Sequence, residues 1–309
     1  MKKILIIFGV ILTITSCRYS FEIEKIGLET ELCVRSMVCA DSTVNILLHK
    51  AVPITDIEKM DTSIISPILT LKCNGEEVET VMYIADNGGR KFTADAFTAG
   101  DKLEIVASAE GVETIMASTI VPDEFPPYEI DTIEILSYGY ENEFNTVIHY
   151  QDNPDTQDYY GVGVELLMKF DDPSWPEALW QTVTVNPGSG YDEINIDPNI
   201  YSPTIGKIEN KNVFIWKDIE ADGKYEVRFK SSFTSPNIIE TRARFYLYKL
   251  SEELYKTLKA DFEASCNPLF YLGLATPSFT YSNINRGLGY FGAYSKTCYD
   301  YIIKTTSNE

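Results

Sequence analysis

The sequence has only two histidines, no Cys-x-x-Cys motif and no Gly-x-Ser-x-Gly motif. His49 and His149 lie in separate strand-like stretches, so a serine triad or a histidine-rich metal site is hard to assemble from them. Without paired cysteines there is no zinc or thiol-redox signature. We therefore predict a non-catalytic protein without a cofactor, whose histidines are structural or lie at the surface.

Positive charge is also scarce, because 26 Lys and Arg stand against 46 Asp and Glu, which gives a net charge of −20. Such a surface repels nucleic acid, so we expect no nucleic-acid partner. The acidic residues are spread along the chain and indicate a solvated exterior. So many carboxylates place some pair at the spacing of a glycoside hydrolase by chance, which leaves an envelope hydrolase as a third functional hypothesis.

No uncharged run reaches the roughly 20 residues of a membrane-spanning helix. The apolar run over residues 4–14 follows Lys2 and Lys3 and ends shortly before Cys17. This pattern predicts a secretory signal over residues 1–16, and the cysteine resembles the acylated first residue of a bacterial lipoprotein. The alternative is an ordinary signal peptide that happens to be followed by a cysteine.

Acylation at Cys17 would make residues 17–27 a lipidated linker. We then expect a lipid anchor as the only attachment to a bilayer. Whether the protein faces outward or toward the periplasm stays open.

Five cysteines remain after Cys17. Cys33 and Cys39 lie on one predicted strand, about 20 Å apart, which is too far for a disulfide between them. Either one is able to meet Cys73 on a neighbouring strand, and this pairing stays open. Cys266 and Cys298 flank the C-terminal segment, and we predict a disulfide between them that stabilises the fold by about 3–4 kcal/mol.

Alternating apolar residues and turn signals predict a mainly β fold of two sandwich-like domains. Residues 28–121 read as a meander of short strands with a hairpin at Asn74-Gly75, which favours an immunoglobulin-like sandwich. Pro122 interrupts the pattern, so we place a domain boundary there. Residues 122–309 form the larger β domain.

One helix is predicted in this second domain. Ser251 is a typical N-cap, and acidic residues follow in the first turn. Leu254, Leu258 and Phe262 recur every four residues and make an apolar stripe that packs on a sheet. Asn267-Pro268 ends the helix.

Two tryptophans are candidates for contact with a ligand or partner. Trp175 and Trp180 lie in a proline-bearing segment between strands. Indole rings on a loop stack on sugars or anchor a protein partner. In the alternative, both rings fold back and seal a small core under the loop.

Two acidic loops suggest calcium. Asp152, Asp155 and Asp158 supply oxygen ligands within one short loop, which makes them a weak calcium candidate. The loop that starts at Asp218 copies the beginning of an EF-hand, but Phe229 stands where a bidentate glutamate is required. We expect a solvated connection at the first loop and a hairpin turn at the second.

Gly287, Gly289 and Gly292 spell Gly-x-Gly-x-x-Gly, the pattern of a dinucleotide-binding loop. That loop must lie between a strand and a helix, whose N-terminus holds the pyrophosphate. The residues that follow are aromatic and β-branched, which favours a strand. We therefore predict that the glycines permit a close approach of two backbones.

The same region carries a family resemblance. Tyr281–Ile284, Gly287–Gly289 and Phe291-Gly292 resemble the closing signature of a lipoprotein family of Bacteroidota, the domain-of-unknown-function family 4249. Looser similarities follow in order along the chain: Cys17, Tyr159-Tyr160, Lys217-Asp218, Gly223-Lys224 and Asn267-Pro268.

This resemblance implies an envelope lipoprotein, anchored in the outer membrane, of the kind that accompanies TonB-dependent outer-membrane transporters. Our leading hypothesis is therefore a binding accessory of such an uptake system, and a surface adhesion or structural lipoprotein is the alternative. Surface-exported members carry acidic residues directly after the cysteine, whereas Arg18 stands there in this chain.

Overall fold

The fold is described from a computed structural model. The model describes these residues: 30–51, 63–85, 88–138, 141–170, 179–184, 192–196, 204–218, 223–234, 238–266 and 281–303.

Strands dominate this part of the chain. They are β1 (Glu31–Cys39), β2 (Val44–Ala51), β3 (Ile68–Cys73), β4 (Glu76–Val78), β5 (Val81–Ile84), β6 (Arg90–Ala94), β7 (Lys102–Ser108), β8 (Ile115–Ile120), β9 (Tyr128–Tyr138), β10 (Glu141–Gln151), β11 (Tyr159–Phe170), β12 (Leu179–Thr184), β13 (Asp192–Ile196), β14 (Thr204–Ile208), β15 (Lys211–Lys217), β16 (Lys224–Thr234), β17 (Ile238–Leu250) and β18 (Leu288–Ile303). Within the described residues the helix is α1 (Glu252–Ser265).

The strands form one large sheet and two small ones. The large sheet has the order β14-β15-β11-β17-β18-β1-β2-β6-β5, with β12 also paired to β11. The small sheets have the orders β4-β3-β7-β8 and β13-β16-β10-β9. Two apolar cores contain residues of the large sheet together with residues of one small sheet each. The predicted mainly β, sandwich-like fold is confirmed, and both sandwiches share the large sheet.

Local signals account for the small sheet of the first sandwich. Alternate residues of β8 are buried, as expected for a strand with one face on a core. Asn74 and Gly75 both have positive φ, at 53° and 90°, which suits a two-residue hairpin of type I′. The predicted hairpin joins β3 to β4.

Helix α1 begins as predicted. The Oγ of Ser251 accepts a hydrogen bond from the backbone N–H of Leu254, and the next two residues are acidic. Leu254 and Leu258 are buried in a third apolar cluster, on the face of the large sheet that points away from the small sheets. We call this face the helix face. None of the helices in the described ranges is long and apolar enough to cross a membrane.

Strand β18 connects the two sandwiches. It pairs with β1 in parallel from Leu288 to Tyr294, and with β17 in antiparallel from Tyr294 to Ile303. Phe291 and Ala293 consequently lie in the core of the first sandwich. The domain boundary predicted at residue 122 stays a prediction. That prediction assigned the C-terminal strand to the second domain and did not expect it to contribute to the core of the first.

The cysteines of the first sandwich do not pair. Cys33, Cys39 and Cys73 are free thiols. Cys33 and Cys39 stand opposite Leu288 and Tyr294 on the helix face of β1, whereas Cys73 packs against the first core on the other side of the sheet. A disulfide from either residue to Cys73 would have to pass through the sheet.

The predicted disulfide between Cys266 and Cys298 is absent too, because both residues are exposed free thiols. Helix α1 starts beside Ala293, whose N–H donates to the Ser251 Oγ at 3.1 Å. It then runs toward Tyr290, whose pKa is raised by burial and further by the nearby charge of Asp261. The last residues of α1 therefore lie away from Cys298.

Candidate functional site

The glycine motif lies where β18 meets β1 and α1. Gly289 has a φ of +96°, and a Cβ placed on it would lie 1.9 Å from the carbonyl oxygen of Val34. A Cβ on Gly292 would lie 2.8 Å from the Cβ of Leu254. Gly289 and Gly292 lie within strand β18 and lead into no helix, so the helix N-terminus that holds the pyrophosphate in a dinucleotide fold is missing here. The motif permits close backbone approach, as predicted.

The residues before the glycines attach this segment to the first sandwich. The amide of Asn283 donates to the carbonyl of Phe291 at 2.8 Å and accepts from its N–H at 2.9 Å. The backbone of Asn285 exchanges two hydrogen bonds with Met116 of β8. Residues 281–292, which carry the family signature, therefore attach the C-terminal strand to the N-terminal sandwich. We call this segment the splice.

A cleft of about 430 Å³ lies next to this splice, and we refer to it as the seam cleft. Its walls come from the end of β8, the loop before β11 and the start of α1. The lining residues are Gly100, Ile120, Val121, Pro122, Asp123, Gln157, Asp158, Tyr159, Lys249, Leu250, Ser251, Glu252 and Glu253.

Three carboxylates of the seam cleft have hydrogen-bond or ion-pair partners. Asp158 pairs with Lys249, with 3.1 Å between Oδ2 and Nζ, and both side chains are largely buried. Glu253 accepts a hydrogen bond from the hydroxyl of Thr119 at 3.1 Å. A hydrogen bond from Lys256 lowers the pKa of Glu252. The pKa change of Glu252 is the opposite of the one that a general acid needs, and Asp158 already has a cation beside it.

The two acidic loops of the sequence converge beside the seam cleft. The backbone N–H of Asp152 donates to Gly223 at 2.7 Å, and that of Asp218 donates to Asp158 at 3.0 Å. Asp152 and Asp218 are buried, whereas Asp155 is exposed. Among the described residues, no three acidic, histidine or cysteine side chains are placed to hold a metal ion. The loop thus fails to gather its three aspartates around one point, since Lys249 neutralises Asp158.

Burial, together with the charges of Asp152 and Asp158, raises the pKa of Asp218 from its ordinary value of 3.8. An acid with a raised folded pKa loses stability as pH rises from its unfolded pKa through its folded pKa. Asp218→Asn removes the buried charge, while its amide oxygen still accepts a hydrogen bond from the backbone N–H of Asp158. This variant should therefore be more stable at pH 7 by about 1 kcal/mol, which corresponds to a rise of a few degrees in the unfolding temperature.

Thermal unfolding followed by circular dichroism at pH 7 and at pH 3.5 measures this effect. At the lower pH most of the gain should vanish, because the carboxyl is then mostly protonated in the folded and in the unfolded state. Asp155→Asn, on the exposed side of the same loop, is the matched control and should change little. An equal gain from both variants would contradict the burial argument.

The tryptophan prediction falls mostly outside the described residues. Trp175 lies outside them. The backbone of Trp180 is in β12 opposite Lys169, but the position of its side chain is also outside what the structure describes. The third tryptophan, Trp216, is buried and donates to the hydroxyl of Tyr150 at 2.8 Å.

The two histidines lie in strands of different sheets, β2 in the large sheet and β10 in a small one. His49 in β2 is partly buried, and burial followed by the charge of Arg35 lowers its pKa. His149 in β10 is partly exposed and lies 3.8 Å from Glu226.

Sequence reasoning missed the residues that build the seam cleft. Lys249, Ser251 and Asp123 belong to no local motif, and Ser251 was recognised only as a helix cap. The one available signal was Lys249, two residues before the N-cap, and a lysine at that position is too common to indicate a site. The cleft can be recognised only once the pairing of β17 with β18 is known.

Comparison with known proteins supports one family. The model of the family "Domain of unknown function (DUF4249)" matches residues 18–300. No curated protein matches the chain. Among solved structures, the adhesin InvE of Yersinia pseudotuberculosis is similar at 12% identity, over 72% of this chain and 56% of that protein, with a TM-score of 0.21. The chain thus spans little more than half the length of that structure.

Proposed function

We propose, from the premise that the chain belongs to the domain-of-unknown-function family DUF4249, that it is a non-catalytic lipoprotein of the cell envelope that binds a cationic group in its seam cleft. The bound group is part of a ligand or of a protein partner. The finer proposal is an accessory of an outer-membrane TonB-dependent uptake system.

The state of the carboxylates in the seam cleft carries this proposal. Asp158 and Glu252 are already paired with Lys249 and Lys256. Among the described residues, the cleft carboxylates of Asp123 and Glu253 have no lysine or arginine partner, so their charge is available to a bound cation. The pKa of Glu252 is lowered by Lys256, whereas a general acid needs a raised pKa near the working pH. Charged carboxylates on fixed backbone instead form an electrostatic binding surface for a cation.

The cleft is also positioned for recognition. Glu252 and Glu253 sit in the first turn of α1, and Ser251 fixes the start of that helix to β18. Ile120 and Pro122 add an apolar wall from the first sandwich. A few fixed polar groups beside apolar surface are typical of binding sites. The lipid anchor expected at Cys17 would hold this cleft near the outer membrane.

Site-specific photo-crosslinking in intact cells tests the proposal. A photoreactive residue at Gln157, which is exposed at the rim of the seam cleft, should capture an outer-membrane barrel protein. The same probe at Glu110, at the opposite end of β7 from the cleft, is the matched control and should not.

The anchor enters the same experiment. Cys17→Ala should move the protein into the aqueous phase of a detergent partition and abolish the crosslink from Gln157. A protein that stays in the detergent phase without Cys17 would refute the anchor. Crosslinks only to host-surface material, without a barrel protein, would favour the adhesion alternative over the transport accessory.

A further inference from the structure

The C-terminal half of β18 has one free edge. Strand β1 pairs with β18 only as far as Tyr294, while β17 continues to pair with it as far as Ile303. Within the described residues, the outer side of residues 296–302 therefore has no neighbouring strand. A free edge of this length presents a row of backbone donors and acceptors to another strand.

The direction of these backbone groups follows from one hydrogen bond. The carbonyl of Tyr294 accepts from the N–H of Ala40, so it points outward, away from β17. In an antiparallel pair, outward and inward residues alternate along the strand. With an uninterrupted register to β17, the even-numbered residues 296, 298, 300 and 302 all direct N–H and C=O groups outward.

The side chains along the edge leave it accessible. Cys298 and Asp300 are exposed, and Tyr299, Tyr301 and Ile302 are 37%, 39% and 56% exposed. Edge strands are commonly protected by proline, by lysine or by a bulge. Lys296, at the near end, is the lysine of this stretch, and it is already held by Glu209 at 2.7 Å.

We propose that the occupant of this edge is a second copy of the chain. The two β18 strands pair antiparallel about a two-fold axis at Tyr299, so that the large sheets of two molecules become continuous. Residue 300 of each copy then pairs with residue 298 of the other, and residue 302 with residue 296.

Charge and space select this register. An axis one residue later, at Asp300, would place two aspartates directly opposite each other, which is unfavourable. An axis at Cys298 would place residue 302 opposite Tyr294, whose carbonyl is already bonded to Ala40. With the axis at Tyr299, all four outward-facing residues of each strand find a partner, and no like charges are directly opposed.

The exposed edge of β18, residues 296–302, is a strip without net charge on a strongly acidic molecule. Arg244 holds Asp300 through two hydrogen bonds, of 2.6 and 2.7 Å, and Lys296 offsets Glu209. Two copies with a net charge of −20 each repel one another over most of their surface. Two copies can therefore approach along this strip with little charge repulsion. Added salt screens the repulsion between the rest of the two molecules, so it should strengthen the association.

Disulfide crosslinking tests the axis. The full chain should carry Cys266→Ser and Cys298→Ser, which remove the two exposed thiols, together with Tyr299→Cys. Residue 299 faces its copy as a non-hydrogen-bonded pair, with Cα atoms about 4.5 Å apart, which permits a disulfide. Oxidation should give a covalent dimer on a non-reducing gel. Tyr301→Cys is the matched control, because its copy lies roughly 13 Å away across the axis.

Sedimentation velocity tests the edge itself. Cys298→Pro removes an outward N–H without removing a bond to β17, so the molecule should stay folded while the dimer dissociation constant rises more than about tenfold. An unchanged unfolding temperature would confirm the fold. A parent chain that is monomeric up to about 100 µM, or equal crosslinking at residues 299 and 301, would overturn the proposal.

Discussion

A chain with Gly289→Ala is expected to unfold about 10 °C or more below the parent, a loss of about 3–5 kcal/mol. Gly289 has a φ of +96°, where side chains are strained, and its Cβ would lie 1.9 Å from the carbonyl oxygen of Val34. Because that oxygen belongs to the backbone of β1, the clash is relieved only by separating β18 from β1. Thermal unfolding measured by circular dichroism gives the loss directly.

Gly75→Ala separates the two causes. Gly75 has a similar φ of +90°, but nothing lies within 4 Å of a Cβ placed there. This variant should lose only the cost of the left-handed conformation, about 1 kcal/mol. Equal losses from both variants would show that strand contact plays no part at Gly289.

Asn283→Ala is expected to cost about 2–4 kcal/mol. The amide of Asn283 satisfies both the N–H and the C=O of Phe291, whose side chain is fully buried. Its removal leaves two polar backbone groups without their partner at the edge of a core, at about 1–3 kcal/mol for each unsatisfied group. Chemical denaturation should show a lower midpoint.

The control for this variant is Asn285→Ala. Asn285 contributes backbone hydrogen bonds to Met116, and its exposed side chain should be replaceable within about 0.5 kcal/mol. Hydrogen exchange provides a second measurement, because loss of Asn283 should speed exchange at the Phe291 amide in particular. A slow amide at Phe291 in the Asn283→Ala chain would contradict the splice.

The parts of the fold that the sequence predicted are those set by neighbouring residues. The hairpin at Asn74-Gly75 needs two positive φ angles, and these two residue types supply them at low cost. The start of α1 depends on Ser251 and the acidic residues that follow it. Such signals act over a few positions, so they are readable without the rest of the chain.

The pairing of β18 with β1 was not predictable in this way. It joins Cys33 to Leu288, and nothing in either stretch identifies the other as its partner. The same long-range pairing decides the cysteines, because helix α1 leaves β18 in the direction away from Cys298. That Cys266 and Cys298 flank the C-terminal segment was therefore a poor guide to a disulfide.

The seam cleft shows the same limit for the site. The sequence singled out the loop around Asp155 for its oxygen ligands, and the structure brings that loop to the loop before Gly223. What it did not show is that Lys249 arrives from β17 and neutralises Asp158. A carboxylate's role depends on the cation that faces it, and here that cation is 91 residues away along the chain, from Asp158 to Lys249.

The contribution of β18 to the first core has a consequence for folding during synthesis. Ile284, Phe291 and Ala293 complete a core whose other members end at Val121, more than 160 residues earlier in the chain. Until these residues have been synthesised, the first core lacks one of its strands. The N-terminal sandwich therefore completes its packing only when almost the whole chain has been made.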